Sequence, residues 1–154
     1  MALGACTRAP APEPGARRPA PGMPTATVFL RFKGGERVPV RVEVAADEAL
    51  RQRGLMGRAT LPPRAGMLFV YPRPHRGSFW MRDTSIPLTI AFFDRDGRIL
   101  RVLDMAPCER EPCPLYDPGV AYRGALEVNR GYLDRLGAGP GWRVEVPAGL
   151  PVAS

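Results

Sequence analysis

Apolar and polar residues alternate along much of the chain after residue 26, with the two-residue period that half-buried β-strands require. The clearest case is Val38–Val44, where every second residue is valine and would face the same way. β-Branched and aromatic residues predict a preceding strand over Thr27–Phe32. Gly34-Gly35 supplies a turn between the two, so we expect them to pair as neighbouring strands.

Six further strands are predicted from short apolar segments bounded by turn residues. They are Gly66–Tyr71, Gly77–Arg82, Leu88–Asp94, Arg98–Met105, Tyr122–Val128 and Trp142–Val146. The turn at 94–97, which ends in glycine, predicts a hairpin between the third and fourth of these. About eight short strands at close spacing indicate a mainly β domain, either a small barrel or a sandwich.

Two short helices are predicted between the strands. Asp47 suits the N-cap of a helix that runs through Leu50 towards Leu55 and ends near Gly54 or Gly57. A second helix would run to Leu136, with Asn129 as its N-cap and Gly137 as its left-handed terminator.

Composition separates the first 26 residues from the rest. Pro, Ala and Gly make up 16 of these 26 positions, which favours an extended, solvated backbone. We therefore predict a disordered tether over 1–26, a folded domain over 27–147 and a short tail over 148–154. The longest apolar run, Ile86–Phe93, is far too short to span a membrane.

The net charge of +7 is concentrated in the first half of the domain. Residues 27–80 carry ten bases and four acids, whereas residues 81–154 carry nine bases and ten acids. Such an excess is compatible with nucleic-acid binding. It also follows from a GC-rich genome that favours Arg, and no nucleic-acid motif accompanies it, so we expect no nucleic-acid partner.

The segment Leu3-Gly4-Ala5-Cys6 looks like the end of a bacterial lipoprotein signal, in which the Cys becomes lipidated. A charged and then apolar segment should come first, yet only Met1 and Ala2 do. The segment would be missing if the start of the chain is assigned too late or if the chain is trimmed. Alternatively, the match to a lipoprotein signal is accidental. With a Pro-rich tether following Cys6, we expect an extracytoplasmic domain that touches the membrane surface only through a lipid anchor.

Several motifs, in order, closely resemble the bacterial and archaeal family catalogued as domain of unknown function 192. They lie at Gly54–Arg58, Gly66–Pro72, Phe79–Thr84, Ile86–Leu88, Cys108, Cys113–Tyr116 and Leu126–Gly131. The resemblance implies a compact, mainly β domain that is often exported and has no established activity. Members commonly carry Asp where this chain has Thr89, so a role for that carboxylate is not carried over.

Trp80 and Arg82 would share one face of the predicted strand 77–82. There Trp80 could stack on a flat or sugar-like ligand while Arg82 pairs with its anionic group. Alternatively, Arg82 forms a structural ion pair with Glu127 or Asp83 while Trp80 packs. The full set predicted to line a cleft is Arg58, Met67, Trp80, Arg82, Asp83, Thr84, Glu127 and Asn129.

Glu127 lies in an otherwise apolar strand, where an unpaired charge would be expensive, so Arg58 or Arg82 is its expected partner. If the protein is an enzyme, Glu127 would act as a general base with Asp83 or Asp104 as the second carboxylate. That alternative describes a hydrolase of cell-envelope material.

Cys108 and Cys113 are predicted to form a disulfide, which is the expected state of a cysteine pair in an exported protein. With one His and three Cys, the chain has too few soft ligands for a structural zinc site, so we expect no metal and no cofactor. His75, between predicted strands, is interpreted as a solvated loop residue without a role.

These observations favour a non-enzymatic, monomeric, extracytoplasmic domain that binds a small-molecule or cell-envelope ligand. A hydrolase and a purely structural or interaction module are the alternatives. An open cleft with an exposed Trp80 would favour binding. A sealed network of Arg58, Arg82 and Glu127 would favour the structural module.

Overall fold

The computed structural model describes residues 22–150, which form seven strands and two short helices. In chain order these are β1 (Thr25–Arg31), β2 (Arg37–Ala45), α1 (Glu48–Arg53), β3 (Ala65–His75), β4 (Leu88–Phe93), β5 (Ile99–Met105), β6 (Tyr122–Asn129), α2 (Tyr132–Leu136) and β7 (Arg143–Glu145). The prediction of a mainly β domain is confirmed. None of the helices in this part of the chain is long and apolar enough to cross a membrane.

All seven strands belong to one sheet in the order β5-β4-β6-β3-β2-β1-β7. Each neighbouring pair is antiparallel except β2 and β3, which run parallel because α1 returns the chain between them. The sheet curls into a half-barrel, so that its edges β5 and β7 approach each other. The Val144 N–H donates to the Gly97 carbonyl at 2.7 Å, and the Ile99 N–H donates to the Trp142 carbonyl at 2.8 Å. Gly97 is required there, since a Cβ on it would lie 2.2 Å from the Val144 oxygen.

The two faces of the sheet carry separate apolar clusters. The alternating valines of β2 pack with Leu68, Leu126 and α2 on one face, which we call the α2 face. Phe69, Ile90, Phe92 and their neighbours pack on the opposite face, the α1 face, together with Leu50 of α1. The prediction that the β2 valines share a face is confirmed, and the α1 face is the one that carries the site.

The predicted strand 77–82 is wrong. Only Phe79 makes a β-bridge, to Tyr116, and the segment crosses over the α1 face instead of joining the sheet. Its alternation is real, because Phe79 and Met81 point into the α1-face cluster while Trp80 and Arg82 are exposed. Burial on one side produced a strand-like pattern without strand hydrogen bonds.

The two predicted N-caps have different outcomes. Asp47 caps α1 as predicted, with its Oδ1 accepting from the Leu50 N–H at 2.8 Å, and Gly54 ends the helix. The assignment of Asn129 as the cap of α2 is wrong, because Gly131 occupies that position without a side-chain hydrogen bond. Asn129 is the last residue of β6, and Gly137 closes α2 in the left-handed conformation as predicted.

The fold begins slightly before the predicted domain boundary. β1 starts at Thr25, and Met23 is already buried in the α1-face cluster. At the other end, Leu150 packs against the α2-face cluster. The predicted lipidation site Cys6 and most of the predicted tether lie outside the described residues.

Candidate functional site

A cavity of about 710 Å³ opens on the α1 face of the sheet. Four parts of the chain enclose it: α1 with the residues just after it, the second half of β3, the crossing segment 78–84, and β6. The residues lining it are Glu48, Arg51, Gln52, Arg53, Gly54, Leu55, Met56, Phe69, Tyr71, Pro72, Arg73, Pro74, His75, Ser78, Phe79, Trp80, Thr84 and Glu127. Its size is typical of sites for small molecules.

The cavity exists because β3 is longer than its neighbour β2. The β2–β3 pairing ends at Ala45 and Phe69, and β3 then continues to His75 without a partner on that side. Proline is tolerated in a strand where no ladder hydrogen bond is needed, which explains Pro72 and Pro74 in this extension. The sequence prediction ended the strand at Tyr71, so the extension was missed.

Arg51 of α1 secures this unpaired edge. Its Nη1 donates to the Val70 carbonyl at 3.2 Å and to the Ala46 carbonyl at 3.3 Å. Its guanidinium also lies 5.2 Å from the centre of the Tyr71 ring. The helix and the strand extension therefore form two fixed walls of the cavity.

Aromatic rings line the wall formed by β3 and the crossing segment. The Phe69 and Phe79 rings meet edge to face at 5.0 Å, and the Tyr71 and His75 rings stack at 4.3 Å. Tyr122 contacts both members of the stack edge to face, and its hydroxyl donates to the Gly77 carbonyl at 2.7 Å. These contacts hold the rings in place, which favours a site formed before any ligand arrives.

His75 is exposed, as expected of a solvated residue, but its assignment to a loop is wrong. It is the last residue of β3 and pairs with Tyr122 of β6. Burial, with a smaller contribution from the nearby Arg51 cation, lowers the pKa of its imidazole below the ordinary value of 6.5. The lowered pKa favours the neutral imidazole, whose ring forms part of the aromatic wall.

Glu127 of β6 lies at the floor of the cavity. Its register partners are Met67 on β3 and Ile90 on β4, and both are fully buried. The Glu127 side chain is itself only 5% exposed, and within residues 22–150 no ion pair or hydrogen bond to its carboxyl group is found. Burial raises the pKa of this carboxyl to about 8, so the group is mostly protonated at pH 7.

The expected partners of Glu127 are both engaged elsewhere. Arg58 forms an ion pair and hydrogen bond with Glu43 of β2. Met67 is the register partner of Glu43 on one side and of Glu127 on the other. Glu43 therefore lies two strand spacings, roughly 10 Å, from Glu127. Arg82 pairs with Glu111 at 3.3 Å and lies 5.6 Å from the Trp80 ring centre. The prediction that Arg58 or Arg82 pairs with Glu127 is therefore wrong.

Trp80, Thr84 and Glu127 are the residues of the predicted cleft that line the cavity. Met67 is fully buried beneath it, and the Asn129 Nδ2 donates to the carbonyls of Leu61 and Pro62.

Neither predicted second carboxylate accompanies Glu127. Asp83 is exposed, does not line the cavity, and turns the chain at a φ of 51°, with its carbonyl accepting from the Gly57 N–H. Asp104 is the register partner of Thr89, the neighbour of Ile90, so it lies on the opposite face of the sheet from Glu127. The Thr89 hydroxyl donates to Asp104 Oδ1 at 2.6 Å.

A disulfide joins Cys108 and Cys113 in the loop between β5 and β6, with the two Cα atoms 5.4 Å apart. The same loop continues to Tyr116, whose N–H donates to the Phe79 carbonyl at 2.8 Å and whose carbonyl accepts the Phe79 N–H at 3.0 Å. The loop therefore fixes the crossing segment that carries Phe79 and Trp80.

Comparison with known proteins gives one family and two solved structures. The profile of the family DUF192, described as "Uncharacterized ACR", matches residues 30–146. A protein of unknown function from Novosphingobium aromaticivorans DSM 12444 is 32% identical, with a TM-score of 0.74 over 91% of this chain and 94% of its own. A protein from Sinorhizobium meliloti 1021, described as a candidate transcription regulator, is also 32% identical, with a TM-score of 0.74 over 80% of this chain and 94% of its own. No curated protein matches the chain significantly.

Proposed function

This chain belongs to the DUF192 family, and from that premise we propose that it is a non-enzymatic domain that binds a small ligand in the cavity above Glu127. The observation that carries the proposal is the carboxyl group of Glu127, which faces the cavity without a protein partner in the described part of the chain. Buried polar groups in proteins are nearly always hydrogen-bonded. A carboxyl group that lacks a protein partner at the floor of a ligand-sized cavity supports binding of a ligand that hydrogen-bonds to it there.

Stability alone does not account for Glu127. Its neighbours Met67 and Ile90 are apolar, and an apolar residue at 127 would avoid the desolvation of a carboxyl group. Residues that lower stability in this way are characteristic of functional sites. The fixed aromatic wall beside it, with Trp80 44% exposed, supports the same interpretation.

The arrangement of carboxyl groups favours binding over hydrolysis. Besides Glu127, the one carboxylate lining the cavity is Glu48, which is exposed at the start of α1 and accepts from the Gln52 side chain. Hydrolysis by a carboxylate pair needs two such groups flanking the scissile bond. The pairs expected from the sequence do not meet in this cavity, so we place hydrolysis second.

We further propose that the domain acts outside the cytoplasm, held by a lipid on Cys6. The disulfide between Cys108 and Cys113 supports this location, since disulfides persist in oxidising compartments. In protein isolated from its native cells, Cys108 and Cys113 should resist alkylation before reduction and become alkylated after it. Free thiols at both positions would contradict an extracytoplasmic location.

Binding can be tested with the neutral aromatic probe N-phenyl-1-naphthylamine. We expect saturable fluorescence enhancement with one probe per protein, because the cavity offers aromatic contacts and a protonated carboxyl group. Ser78→Trp, an exposed position that lines the cavity, should weaken binding by about tenfold or more through steric filling.

Ser85→Trp provides the matched control, since Ser85 is exposed and does not line the cavity. It should bind the probe like the unmodified protein. Absence of saturable binding, or equal loss in the two tryptophan variants, would show that the cavity does not bind ligands of this kind.

A further inference from the structure

The charged groups that line the cavity are unbalanced. Three guanidinium groups, of Arg51, Arg53 and Arg73, face two carboxyl groups, of Glu48 and Glu127. Because burial raises the pKa of Glu127 to about 8, its carboxyl group is mostly protonated at pH 7 and adds little negative charge to this lining. The cavity therefore carries a net positive charge at neutral pH.

This positive charge is available to a ligand. Arg53 and Arg73 are both exposed, and neither forms an ion pair within residues 22–150. By contrast, the nearby Arg58 and Arg82 are neutralised by acidic partners. Unpaired guanidinium groups that line an aromatic cavity are suited to binding carboxylate, sulfonate or phosphate oxygens.

The two exposed guanidinium groups of the cavity come from different elements, α1 and the β3 extension. Arg53 is the last residue of α1, and Arg73 lies in the β3 extension between Tyr71 and His75. The stacked Tyr71 and His75 rings and the Phe69–Phe79 pair provide flat apolar surface, and Glu127 provides a hydrogen-bonding group at the floor. The lining thus offers two exposed guanidinium groups, an aromatic wall and a polar floor.

We propose that the ligand is a flat, largely apolar molecule with one anionic group, which binds with that group against Arg53 and Arg73 and with its ring against the aromatic wall. This inference rests on the proposed function and specifies the class of ligand. A protonated Glu127 can donate to a ligand oxygen at the floor without repelling the anion.

Two probes that differ by a single sulfonate test the inference. 8-Anilinonaphthalene-1-sulfonate carries the anionic group, and N-phenyl-1-naphthylamine has the same rings without it. We expect the sulfonate probe to bind at least about tenfold more tightly at pH 7 and low salt, and high salt should remove most of that difference. The neutral probe should respond little to salt.

Arg53→Ala combined with Arg73→Ala should weaken binding of the sulfonate probe by about tenfold or more and change binding of the neutral probe by less than about twofold. Both residues are exposed, so we expect the fold to remain intact, which thermal unfolding can verify. Arg135→Ala is the control, since Arg135 is exposed on α2, which packs on the opposite face of the sheet.

The possible outcomes separate this inference from the proposed function. If both probes bind with equal affinity, or the double variant leaves the sulfonate probe unaffected, the anionic ligand class is overturned while binding in the cavity stands. If Arg135→Ala weakens binding of the sulfonate probe as much as the double variant does, the preference for the sulfonate comes from the overall charge of the protein. That result would also overturn the anionic ligand class. If neither probe binds, the proposed function itself fails.

Discussion

Glu127→Gln will stabilise the protein by an amount that grows with pH, because the buried carboxyl group has a raised pKa. Below pH 4.5 the carboxyl is protonated in both the folded and unfolded states, and the free energies of unfolding of the two proteins should differ little. Between pH 4.5 and about 8 it is ionised only in the unfolded chain. The unmodified protein then loses about 1.4 kcal/mol per pH unit relative to the variant, or about 5 kcal/mol in total.

Urea unfolding of both proteins between about pH 4 and 9 measures this difference directly. Glu48→Gln provides the control, since Glu48 is an exposed carboxylate that also lines the cavity. Its stability difference from the unmodified protein should stay within about 0.5 kcal/mol across the range. A Glu127→Gln difference that does not change with pH would show that the carboxyl is ionised in the folded protein, which would remove the main argument for a ligand-supplied partner.

Phe69→Ala will destabilise the protein by about 3–5 kcal/mol, the range for removing a fully buried phenylalanine. The Phe69 side chain is 1% exposed, and its ring packs edge to face against Phe79. The substitution would enlarge the cavity at the point where its aromatic wall meets the sheet. Denaturant midpoints of the two proteins measure the loss.

Phe32→Ala is the matched control for this prediction. Phe32 is 47% exposed, and its ring centre lies 5.5 Å from that of Trp142. Its removal should cost about 1 kcal/mol or less. Similar losses for the two variants would mean that the α1-face cluster is not packed as the structure describes.

The elements that the sequence predicts well are those whose signals are local. The alternating valines of β2 and the Asp47 cap of α1 depend on neighbouring residues, so both were predicted correctly. Phe79 and Met81 alternate equally well, but periodicity reports which side of a segment is buried and not whether it has hydrogen-bonded neighbours. Asn129 is a suitable cap by residue type, yet its amide is engaged by loop carbonyls that are distant in the sequence.

The site was predictable only in part, for a related reason. Glu127 stands out in an apolar strand, so its importance is visible in the sequence. Its partner could not be assigned, because the strand order places Glu43 beside Arg58 and the apolar Met67 beside Glu127. The contribution of His75 was hidden by the prolines before it, which suggest that the strand has ended.

The prolines of the β3 extension also limit how this protein can aggregate. An unpaired strand edge is a template to which another chain can add by backbone hydrogen bonding. Pro72 and Pro74 have no N–H to offer, and Arg51 already binds the Val70 carbonyl. The mouth of the cavity can therefore remain open to ligands without recruiting further strands through this edge.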